Sequence, residues 1–526
     1  MNANLFVALR GGFPADLDTI AIETTDTAMS SDGLAYTWCD LERASAMMAN
    51  LIDSLDLPPA SRVAVQVDKS VEALILYLAV LRSGHVFLPL NSAYQAAEIE
   101  YFVGNAEPAL VVCTPKAFGW LAKIAFRAGT RHVFTLGDDR SGSLLQRAAQ
   151  HADTHEPALR GDDDLAAILY TSGTTGRSKG AMLTHGNLRS NAEVLKRAWA
   201  WRTGGAQGRD TLIHALPIFH VHGLFVACHG ALLAGAKMLW LNRFDPRAVV
   251  ARLPEASVFM GVPTLYVRLL AEPGLKAEAC RGMRLFISGS APLLLETFQA
   301  WRARTGHVIL ERYGMSETVM LTSNPYRPEA ARRGGTVGPA LPGVGLRVVG
   351  DDGAALPPGE VGHMQVQGPG VFKGYWRMPE KTAEEFTADG WFRTGDVGKL
   401  EAGGFCTIVG RSKDLVITGG YNVYPAEIEG FLNALPGVAE SAVVGVPHPD
   451  FGEAVIAVVV ARPGTAAPEP AALIGALKGR IAGFKVPKFV EVVSELPRNA
   501  MGKVQKNLLR DRHRAMFGPG RDPSVR

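Results

Sequence analysis

Residues 165 to 180 read Leu165-Ala-Ala-Ile-Leu-Tyr-Thr-Ser-Gly-Thr-Thr-Gly-Arg-Ser-Lys-Gly180. The first five residues form an apolar run that is typical of a short buried β-strand. The loop after it combines serine and threonine hydroxyls, glycines that let a backbone approach a ligand closely, and two cations. This combination predicts a loop that grips a triphosphate. The predicted phosphate-binding residues are Thr171, Ser172, Gly173, Thr174, Thr175, Gly176 and Lys179.

The loop does not follow the Walker pattern. In that pattern, lysine directly follows the last glycine and precedes a serine or threonine. Here Lys179 comes three residues after Gly176 and is followed by Gly180. A flexible surface linker is the alternative interpretation of such a composition. The tight junction with an apolar strand and the two cations favour a phosphate loop.

Length and composition describe an ordinary globular protein. With 526 residues the chain is too long for one hydrophobic core and predicts two or more domains. A formal net charge of +3 gives no field that would favour nucleic acid or a membrane as a partner. The five cysteines are scattered, which indicates reduced thiols rather than disulfides or a metal site. The start of the chain lacks the pattern of a secretory signal, so we predict a cytoplasmic location.

The pattern of strands and helices changes along the chain. Between about residues 30 and 270, helical patterns alternate with β-branched runs such as 62–67, 109–113 and 132–136, which predicts a parallel α/β sheet covered on both faces. The Gly- and Pro-rich segment 335–410 predicts a small antiparallel or β-barrel-like subdomain. After Gly410 we predict a compact α+β unit of just over a hundred residues, with helices over 425–435 and 471–482.

Four further motifs follow the phosphate loop. They are Tyr313-Gly-Met-Ser-Glu-Thr318, Trp391-Phe-Arg-Thr-Gly-Asp396, the paired stretches 410–414 and 419–425, and Leu496-Pro-Arg-Asn-Ala-Met-Gly-Lys503. In this order the five motifs resemble those of the adenylate-forming superfamily of acyl-CoA synthetases, luciferases and peptide-synthetase adenylation domains. The resemblance covers nearly the whole chain. It implies a large N-terminal domain over 1–411 and a mobile C-terminal lid over 412–526, hinged at Lys413.

The resemblance also implies a nucleotide site with Mg²⁺. Glu317 and Ser316 are similar to the superfamily's metal-binding glutamate and phosphate-binding threonine, and Thr174 would be a second metal ligand. Mg²⁺ commonly takes one or two carboxylates plus phosphate oxygens, although the Ser-Glu pair alone could equally be a helix cap. We place Asp396 in a turn, where its carboxylate would accept hydrogen bonds from the ribose hydroxyls or form an Asx turn. Further residues implied at the nucleotide are Tyr313, Gly314 and Arg411, together with Ser290, Ala291 and Pro292, whose backbone would lie against the adenine.

The C-terminal motifs imply two half-reactions. Lys503 resembles the superfamily lysine that stabilises developing charge during adenylate formation, although a lone lysine is most often solvated. Rotation at Lys413 would then swing the lid, so that Gly419, Gly420 and Tyr421 line the path of the CoA pantetheine arm. Acetylation of Lys503 by a protein acetyltransferase, reversed by a deacetylase, is a further hypothesis, because it would cancel the lysine charge.

The acid substrate is predicted from a narrower resemblance to malonyl-CoA synthetases, in the stretches 214–217, 284–293 and 498–507. We expect His220, His222 and Met315 to lie at the acyl pocket, and His220 to act in the first step; a metal site at His-x-His would need a third ligand. A dicarboxylate needs a cation at the far end of its pocket, and Arg284 is our candidate. Alternatively, Arg284 stays at the surface, as in relatives with neutral substrates.

The resulting hypothesis is an ATP-, Mg²⁺- and CoA-dependent ligase. Malonate, or methylmalonate, would be converted to its CoA thioester through an acyl-adenylate, with release of AMP and pyrophosphate. The catalytic residues would be Lys503, Glu317, His220 and Lys413. Three alternatives stay open: a CoA ligase for an aromatic or a short- to medium-chain acid, an adenylation enzyme that loads a carrier protein, and a nucleotide-binding regulator without catalysis.

Overall fold

The structure, a computed structural model, describes residues 2–24, 33–171, 178–418, 421–478, 480–499 and 502–517. The predicted phosphate-loop residues Ser172, Gly173, Thr174, Thr175 and Gly176, and the lid residues Gly419 and Gly420, lie outside these ranges. Among the helices of the described part, none is long and apolar enough to cross a membrane.

The strands of the described residues are short in the first half of the chain and longest near its end. In chain order they are β1 Ile20–Thr24, β2 Ala35–Thr37, β3 Arg62–Gln66, β4 Val86–Pro89, β5 Leu110–Cys113, β6 His132–Thr135, β7 Leu165–Thr171, β8 Lys179–Thr184, β9 Thr211–His214, β10 Lys237–Trp240, β11 Val258–Gly261, β12 Leu285–Ser288, β13 Leu310–Tyr313, β14 Thr322–Ser323, β15 Gly345–Val349, β16 Val361–Gln367, β17 Gly374–Tyr375, β18 Phe392–Leu400, β19 Cys406–Arg411, β20 Val416–Thr418, β21 Tyr421–Val423, β22 Val438–His448, β23 Gly452–Ala461 and β24 Phe489–Val493.

The α-helices mostly connect parallel strands. They are α1 Leu5–Arg10, α2 Trp38–Asp53, α3 Val71–Arg82, α4 Ala96–Ala106, α5 Phe118–Arg127, α6 Ser143–Ala148, α7 His185–Ala198, α8 His229–Ala234, α9 Pro246–Arg252, α10 Pro263–Leu270, α11 Leu295–Thr305, α12 Pro379–Glu385, α13 Pro425–Asn433, α14 Pro470–Leu477 and α15 Lys506–His513. A π-helical turn, His222–Cys228, leads into α8.

Two largely parallel sheets form the first part of the chain. One has the order β17-β8-β7-β4-β3-β5-β6 and the other β14-β13-β12-β11-β9-β10-β1-β2. The residues of α3 are buried on every side, as expected of a helix that is apolar all round, and they belong to the hydrophobic core shared by both sheets. The predicted parallel α/β fold is therefore confirmed.

The parallel strands β9, β11, β12 and β13 position the site. β11 pairs with β9 and β12, and β12 pairs with β13, all in parallel. Gly261 lies opposite Ser288, which in turn lies opposite Glu311. Because parallel strands end at the same edge of a sheet, the loops that follow these strands converge there. We call this edge the carboxyl edge, and the opposite one the amino edge.

Two smaller sheets complete the fold. The antiparallel strands β15, β16, β18 and β19 confirm the predicted small antiparallel subdomain. In the C-terminal part, β23 pairs with β22 along its length and with β24 in parallel, and apolar clusters cover both faces of this sheet. The assignment of a domain boundary at 411/412 stays a prediction.

Two predicted elements differ from the structure. The helix expected over 471–482 ends at Leu477, because Lys478 has an extended backbone and bridges to Ile481. Asp396 was expected in a turn but lies inside β18, directly opposite Arg411 of β19. Gly395 has φ 71°, as in a turn, yet the strand continues through the Thr-Gly-Asp triplet with a shift in its register against β16.

Candidate active site

Arg312 is the most conspicuous group at the carboxyl edge. It lies in β13, is only 2% exposed, and has no hydrogen-bond partner for Nε or Nη2 among the described residues. Burial lowers the pKa of Arg312 to about 9, so the group still carries its charge at neutral pH. Gly289 makes room for it, since a Cβ there would lie 2.5 Å from the guanidinium carbon. A buried and uncompensated cation is costly to the fold, which indicates that an anionic ligand compensates it.

Two histidines line the same space. The backbone N–H of His222 donates to Nδ1 of His220 at 3.3 Å, and Nδ1 of His222 lies 3.3 Å from Oγ of Ser290. Burial and the nearby charges of Arg312 and Lys503 lower the pKa of His220 to about 4. Burial and Arg312 also hold the pKa of His222 well below its ordinary value. Both imidazoles are therefore neutral at neutral pH, and they can accept or donate a hydrogen bond without adding charge.

The loop that follows β12 holds Ser290 under strain. Ser290 has φ 71°, a left-handed conformation that non-glycine residues seldom adopt. Ala291 is half-buried and Pro292 is exposed, so this backbone borders the open side of the edge. The strained turn brings the Ser290 hydroxyl to His222 and thereby joins the predicted adenine loop to the predicted acyl pocket.

A second group of polar residues surrounds Asp396. Nε of Arg411 donates to Oδ1 of Asp396 at 2.7 Å, and the hydroxyl of Tyr313 donates to Oδ2. Burial by itself would lower the pKa of Arg411, but Asp396, Tyr313 and Glu317 together raise it. Each Asp396 oxygen keeps a further lone-pair direction, so the carboxylate can still accept hydrogen bonds from a diol.

Glu317 lies between this group and the end of the phosphate loop. The hydroxyl of Tyr375 donates to Oε1 of Glu317 at 3.1 Å. Lys179, the first residue of β8, places its ammonium 4.2 Å from the centre of the Tyr375 ring and 3.4 Å from Glu385. Burial raises the pKa of Glu317, although Tyr375 and the charges of Arg411 and Lys179 act in the opposite direction. A bound cation would favour the ionised carboxylate that metal binding requires.

The remaining predicted nucleotide residues lie beside these groups. Thr171 ends β7, where it is paired with Lys179 of β8. Gly314, Met315 and Ser316 form the half-buried connection between Tyr313 and Glu317. This short segment therefore joins the Asp396 group to the Glu317 group.

Lys503 reaches the site from the C-terminal part of the chain. Its backbone N–H donates to Oδ1 of Asn499 at 3.0 Å, and a Cβ on neighbouring Gly502 would lie 3.2 Å from the hydroxyl of Thr264 in α10. Burial and the charge of Arg411 lower the pKa of Lys503, while Asp396 opposes this change. The lysine predicted for adenylation thus lies within electrostatic range of Asp396, Arg411 and His220.

Lys413 and Tyr421 are the described residues among those predicted for the second half-reaction. Lys413 is in the 3₁₀ turn Ser412–Asp414, between the β19 and β20 strands. Burial and the charge of Lys179 lower its pKa. Tyr421 is in the C-terminal sheet, where its ring stacks on Phe484 at 4.6 Å. The roles of Lys413 and Tyr421 stay predictions.

Arg284 does not belong to this site, and its prediction as the substrate clamp is contradicted. It precedes β12 and therefore lies at the amino edge. Its Nε and Nη2 donate to the two oxygens of buried Asp210 at 2.8 and 2.5 Å, and Nη1 donates to the carbonyl of Trp199 at 3.0 Å. A guanidinium that is saturated by a buried carboxylate is unable to pair with a ligand at the other end of the sheet.

The sequence around Arg312 indicates a role in ligand binding, although none of the motifs above includes this residue. Arg312 directly precedes the Tyr313 motif, inside a segment that becomes a buried strand. Charged side chains are rarely buried without a partner, so an arginine in such a strand is a candidate for ligand binding. Tyr375 gave no comparable signal, because only the pairing of β17 with β8 brings it to Glu317.

Comparison with known proteins agrees with this geometry. Residues 19–376 match the AMP-binding enzyme family, and residues 427–503 match the AMP-binding enzyme C-terminal domain. The chain belongs to the AMP-binding enzyme family. It is an AMP-forming acid–CoA ligase that acts through an acyl-adenylate and uses ATP and CoA.

Three relatives of this AMP-binding enzyme show the range of the family. MatB from Rhodopseudomonas palustris, in an ATP-bound crystal structure, is 52% identical, covers 98% of this chain and 100% of its own, and has a TM-score of 0.93. The malonate–CoA ligase of Arabidopsis thaliana is 34% identical over 532 residues, 92% of this chain and 85% of its own. The feruloyl-CoA synthase of an Amycolatopsis species is 35% identical over 493 residues, 92% of this chain and 96% of its own.

The chain superposes better on the ATP-bound form of MatB than on its apo form. Apo MatB from the same organism has a TM-score of only 0.81, against 0.93 for the ATP-bound structure. The lower score is obtained at the same 52% identity and 98% coverage, so it reflects a difference in conformation rather than in sequence.

Proposed function

We propose that this AMP-binding enzyme is a malonate–CoA ligase. The observation that carries the proposal is Arg312, a buried cation whose Nε and Nη2 find no partner in the described part of the chain. It lies with His220 and His222, at the end of the sheet that Lys503 also approaches. A monocarboxylic acid with an uncharged aliphatic or aromatic chain would leave the Arg312 charge buried and unpaired. The second carboxylate of a dicarboxylic acid would pair with it bidentately.

The relatives support the same substrate class without deciding it. The Arabidopsis thaliana relative is named as a malonate–CoA ligase, but the Amycolatopsis relative at similar identity is named as a feruloyl-CoA synthase. Identity of about a third is thus compatible with very different acids. The proposal therefore depends on Arg312, which takes the role first predicted for Arg284.

In the first half-reaction, a carboxylate oxygen of malonate would attack the α-phosphorus of ATP, and the bond to pyrophosphate would break. Arg312 would hold the distal carboxylate, so the reacting carboxylate points toward Lys503. The Lys503 ammonium would stabilise the charge that develops on the attacking and α-phosphate oxygens. Neutral His220 and His222 would line the pocket and keep water from the mixed anhydride.

The nucleotide would lie along the same edge. The backbone of Ser290–Pro292 would face adenine on one side and Tyr313 on the other. Asp396 and Arg411 would hold the ribose, while Lys179 and Thr171 would border the phosphates. Glu317 and Ser316 would hold Mg²⁺ and the α-phosphate, and their oxygen donors suit this hard cation. When bound, Mg²⁺ would neutralise part of the phosphate charge and orient the leaving pyrophosphate.

In the second half-reaction, the CoA thiolate would attack the acyl carbonyl, and AMP would leave. A rotation at Lys413 would remove Lys503 and bring Tyr421 toward the site.

A substrate panel measured by pyrophosphate release tests the proposed acid. We expect kcat/KM for malonate to exceed that for ferulate, benzoate or hexanoate by at least about tenfold. Preference for a monocarboxylate would overturn the proposal, and transfer to a carrier protein but not to free CoA would overturn the ligase assignment.

A further inference from the structure

Glu311 is a buried acid at the carboxyl edge that the proposed reaction does not use. It precedes Arg312 in β13, is 5% exposed, and lies opposite Ser288 of β12. Its Oε1 accepts the backbone N–H of Leu293 at 3.2 Å. Leu293 is the first residue after Ser290–Pro292, so this bond ties the end of the predicted adenine loop to β13.

The backbone of Glu311 is itself held in place. Its carbonyl accepts hydrogen bonds from the backbone N–H and the side-chain amide of Asn324, at 3.0 and 3.1 Å. The side chain therefore projects from a rigid point toward a loop that is strained at Ser290, where φ is 71°. A strained loop keeps its shape only when its surroundings hold it.

The chemistry of Glu311 is unusual for a residue that serves the core alone. Its Oε2 and the neighbouring Ser288 Oγ are buried, and neither has a partner within the described ranges. Burial raises the pKa of Glu311 to about 8, although the bond from Leu293 acts in the opposite direction. The group is thus an uncharged acid at neutral pH. An apolar side chain would avoid these costs if filling space were the only requirement.

We propose that Glu311 is a positioning residue that sets the distance between the Ser290–Pro292 loop and Tyr313, and thereby the affinity for the adenine of ATP. The inference rests on the proposed placement of adenine between this loop and Tyr313. Glu311 does not touch the reacting atoms, so it acts through the loop that it holds. Its loss is expected to weaken ATP binding while leaving the acyl pocket unchanged.

Glu311→Gln and Glu311→Leu in the full chain test this role. Gln keeps an oxygen acceptor for Leu293, so the KM for ATP should stay within about twofold of the unchanged enzyme. Leu leaves that N–H without a partner and should raise the KM for ATP about tenfold. The KM for malonate and inhibition by pyrophosphate should change by less than about twofold, because the charged groups proposed to bind them, Arg312 and Lys179, lie outside the Ser290–Pro292 loop.

Glu329 offers a matched control, because it is also a glutamate that accepts a backbone hydrogen bond, but near the start of β13. Its Oε1 accepts the backbone N–H of Val308 at 2.7 Å, just before β13 begins. Glu329→Leu should therefore leave the KM for ATP unchanged. If Glu311→Leu does not fold, Glu311→Asp withdraws the acceptor by one methylene and should still raise the KM for ATP more than Gln does.

The outcomes separate the inference from its premise. An unchanged KM for ATP in Glu311→Leu overturns the inference, and so does an equal rise in the KM for malonate or an equal loss in the Gln variant. Ala291→Arg tests the premise independently, since it alters the loop directly. If Ala291→Arg leaves the KM for ATP unchanged, the adenine placement is wrong. If it raises that KM while Glu311→Leu does not, only the role of Glu311 is wrong.

Discussion

The amino edge and the carboxyl edge of the same parallel strands treat buried arginines in opposite ways. At the amino edge, Arg284 and Asp210 form a bidentate pair whose side chains are 4% and 0% exposed. Asp210 also accepts hydrogen bonds from the Ser257 hydroxyl and the Arg202 backbone, both at 2.7 Å. Every strong polar group in this cluster has a partner that the fold itself provides.

At the carboxyl edge, comparable groups lack such partners. Arg312 Nε and Nη2, His222 Nε2, Ser288 Oγ and Glu311 Oε2 are all buried without a hydrogen bond to any described residue. Native proteins seldom leave buried polar groups unsatisfied, so the exceptions need an explanation. The comparison indicates that a buried arginine paired with a carboxylate of the protein stabilises the fold, whereas a buried arginine without such a partner belongs to the ligand site.

Arg284→Met tests the amino edge and should have the largest effect. Removing one partner leaves Asp210 charged and buried, which should lower the free energy of unfolding by about 3–5 kcal/mol. Denaturant unfolding would measure this loss. The folded fraction should keep its kcat/KM for malonate. The double variant with Asp210→Leu serves as the control and should recover part of the stability. A stable Arg284→Met protein that loses malonate activity would break the comparison.

Arg312→Met tests the carboxyl edge and should do the reverse. The second carboxylate of malonate would then be buried without its cation, so kcat/KM for malonate should fall by an amount that corresponds to about 2–5 kcal/mol. Thermal stability should be unchanged or slightly higher, because an uncompensated charge has been removed. Pyrophosphate release with malonate and with butyrate separates the two effects. Equal activity of the variant on malonate would contradict the proposed pocket.

Lys503→Ala tests whether the C-terminal part completes the carboxyl edge. Adenylate formation should fall roughly 10²–10³-fold, whereas conversion of supplied malonyl-adenylate by CoA should persist. Lys506 is the matched control, because it lies three residues away and pairs with Glu429 at 2.6 Å. Lys506→Ala should leave both steps nearly unchanged. Equal losses in both half-reactions for Lys503→Ala would contradict the proposal that Lys503 serves adenylate formation alone.

The buried histidine His185 should make the stability of the fold depend on pH. Burial lowers the pKa of His185 to about 4 from 6.5, and its Nδ1 accepts the N–H of Leu5 at 3.0 Å. Between these two values the unfolded chain binds the proton and the folded chain does not, so stability falls as pH decreases. At pH 5.5 this histidine should account for a loss of about 1.4 kcal/mol.

Unfolding of the wild type and of His185→Asn at pH 7.5 and 5.5 would measure this contribution. The variant should lose less stability on acidification than the wild type. Activity at pH 7.5 should be similar in both, because His185 lies outside the carboxyl edge. Equal losses of stability on acidification in both proteins would show that folding does not lower the pKa of His185.

The ion pair between Arg462 and Glu296 should have the smallest effect. Nη1 of Arg462 lies 2.8 Å from Oε1 of Glu296, and it joins the C-terminal part to α11. Both side chains are largely exposed, so the pair should contribute only about 0.2–1 kcal/mol. Arg462→Glu should reduce adenylation by less than about fivefold without slowing thioester formation, and adding Glu296→Arg should restore it. Slower thioester formation in the single variant would show that the pair does not favour the adenylating arrangement.

Local patterns predicted much of the fold. The alternation of apolar strands and amphipathic helices predicted the parallel sheets. Helices cover both faces of such a sheet, so its strands are apolar throughout and each helix is apolar on the side that packs against it. The helix at 471–482 was extended too far, although Gly479 is a residue typical of helix ends. Asp396 was placed in a turn because its triplet resembles one, whereas pairing across β18 and β19 keeps it in a strand.

The site was predictable where one short motif contains the chemistry. Glu317, Asp396, Arg411 and Lys503 were singled out from such motifs, and the structure places them around one edge. Arg284 was selected because it begins a stretch that resembles malonyl-CoA synthetases and because a dicarboxylate needs a cation in its pocket. Its partner Asp210 is 74 residues away, so no local pattern could show that the charge is already neutralised.

The amino-acid sequence by itself determined the family, the order of the motifs and the alternation of elements, since these depend on residues that are close together along the chain. Only the tertiary structure decided which buried arginine is paired by the fold and which is left for a ligand. Electrostatic compensation depends on distance in space, and side chains far apart along the chain meet only when the strands are aligned.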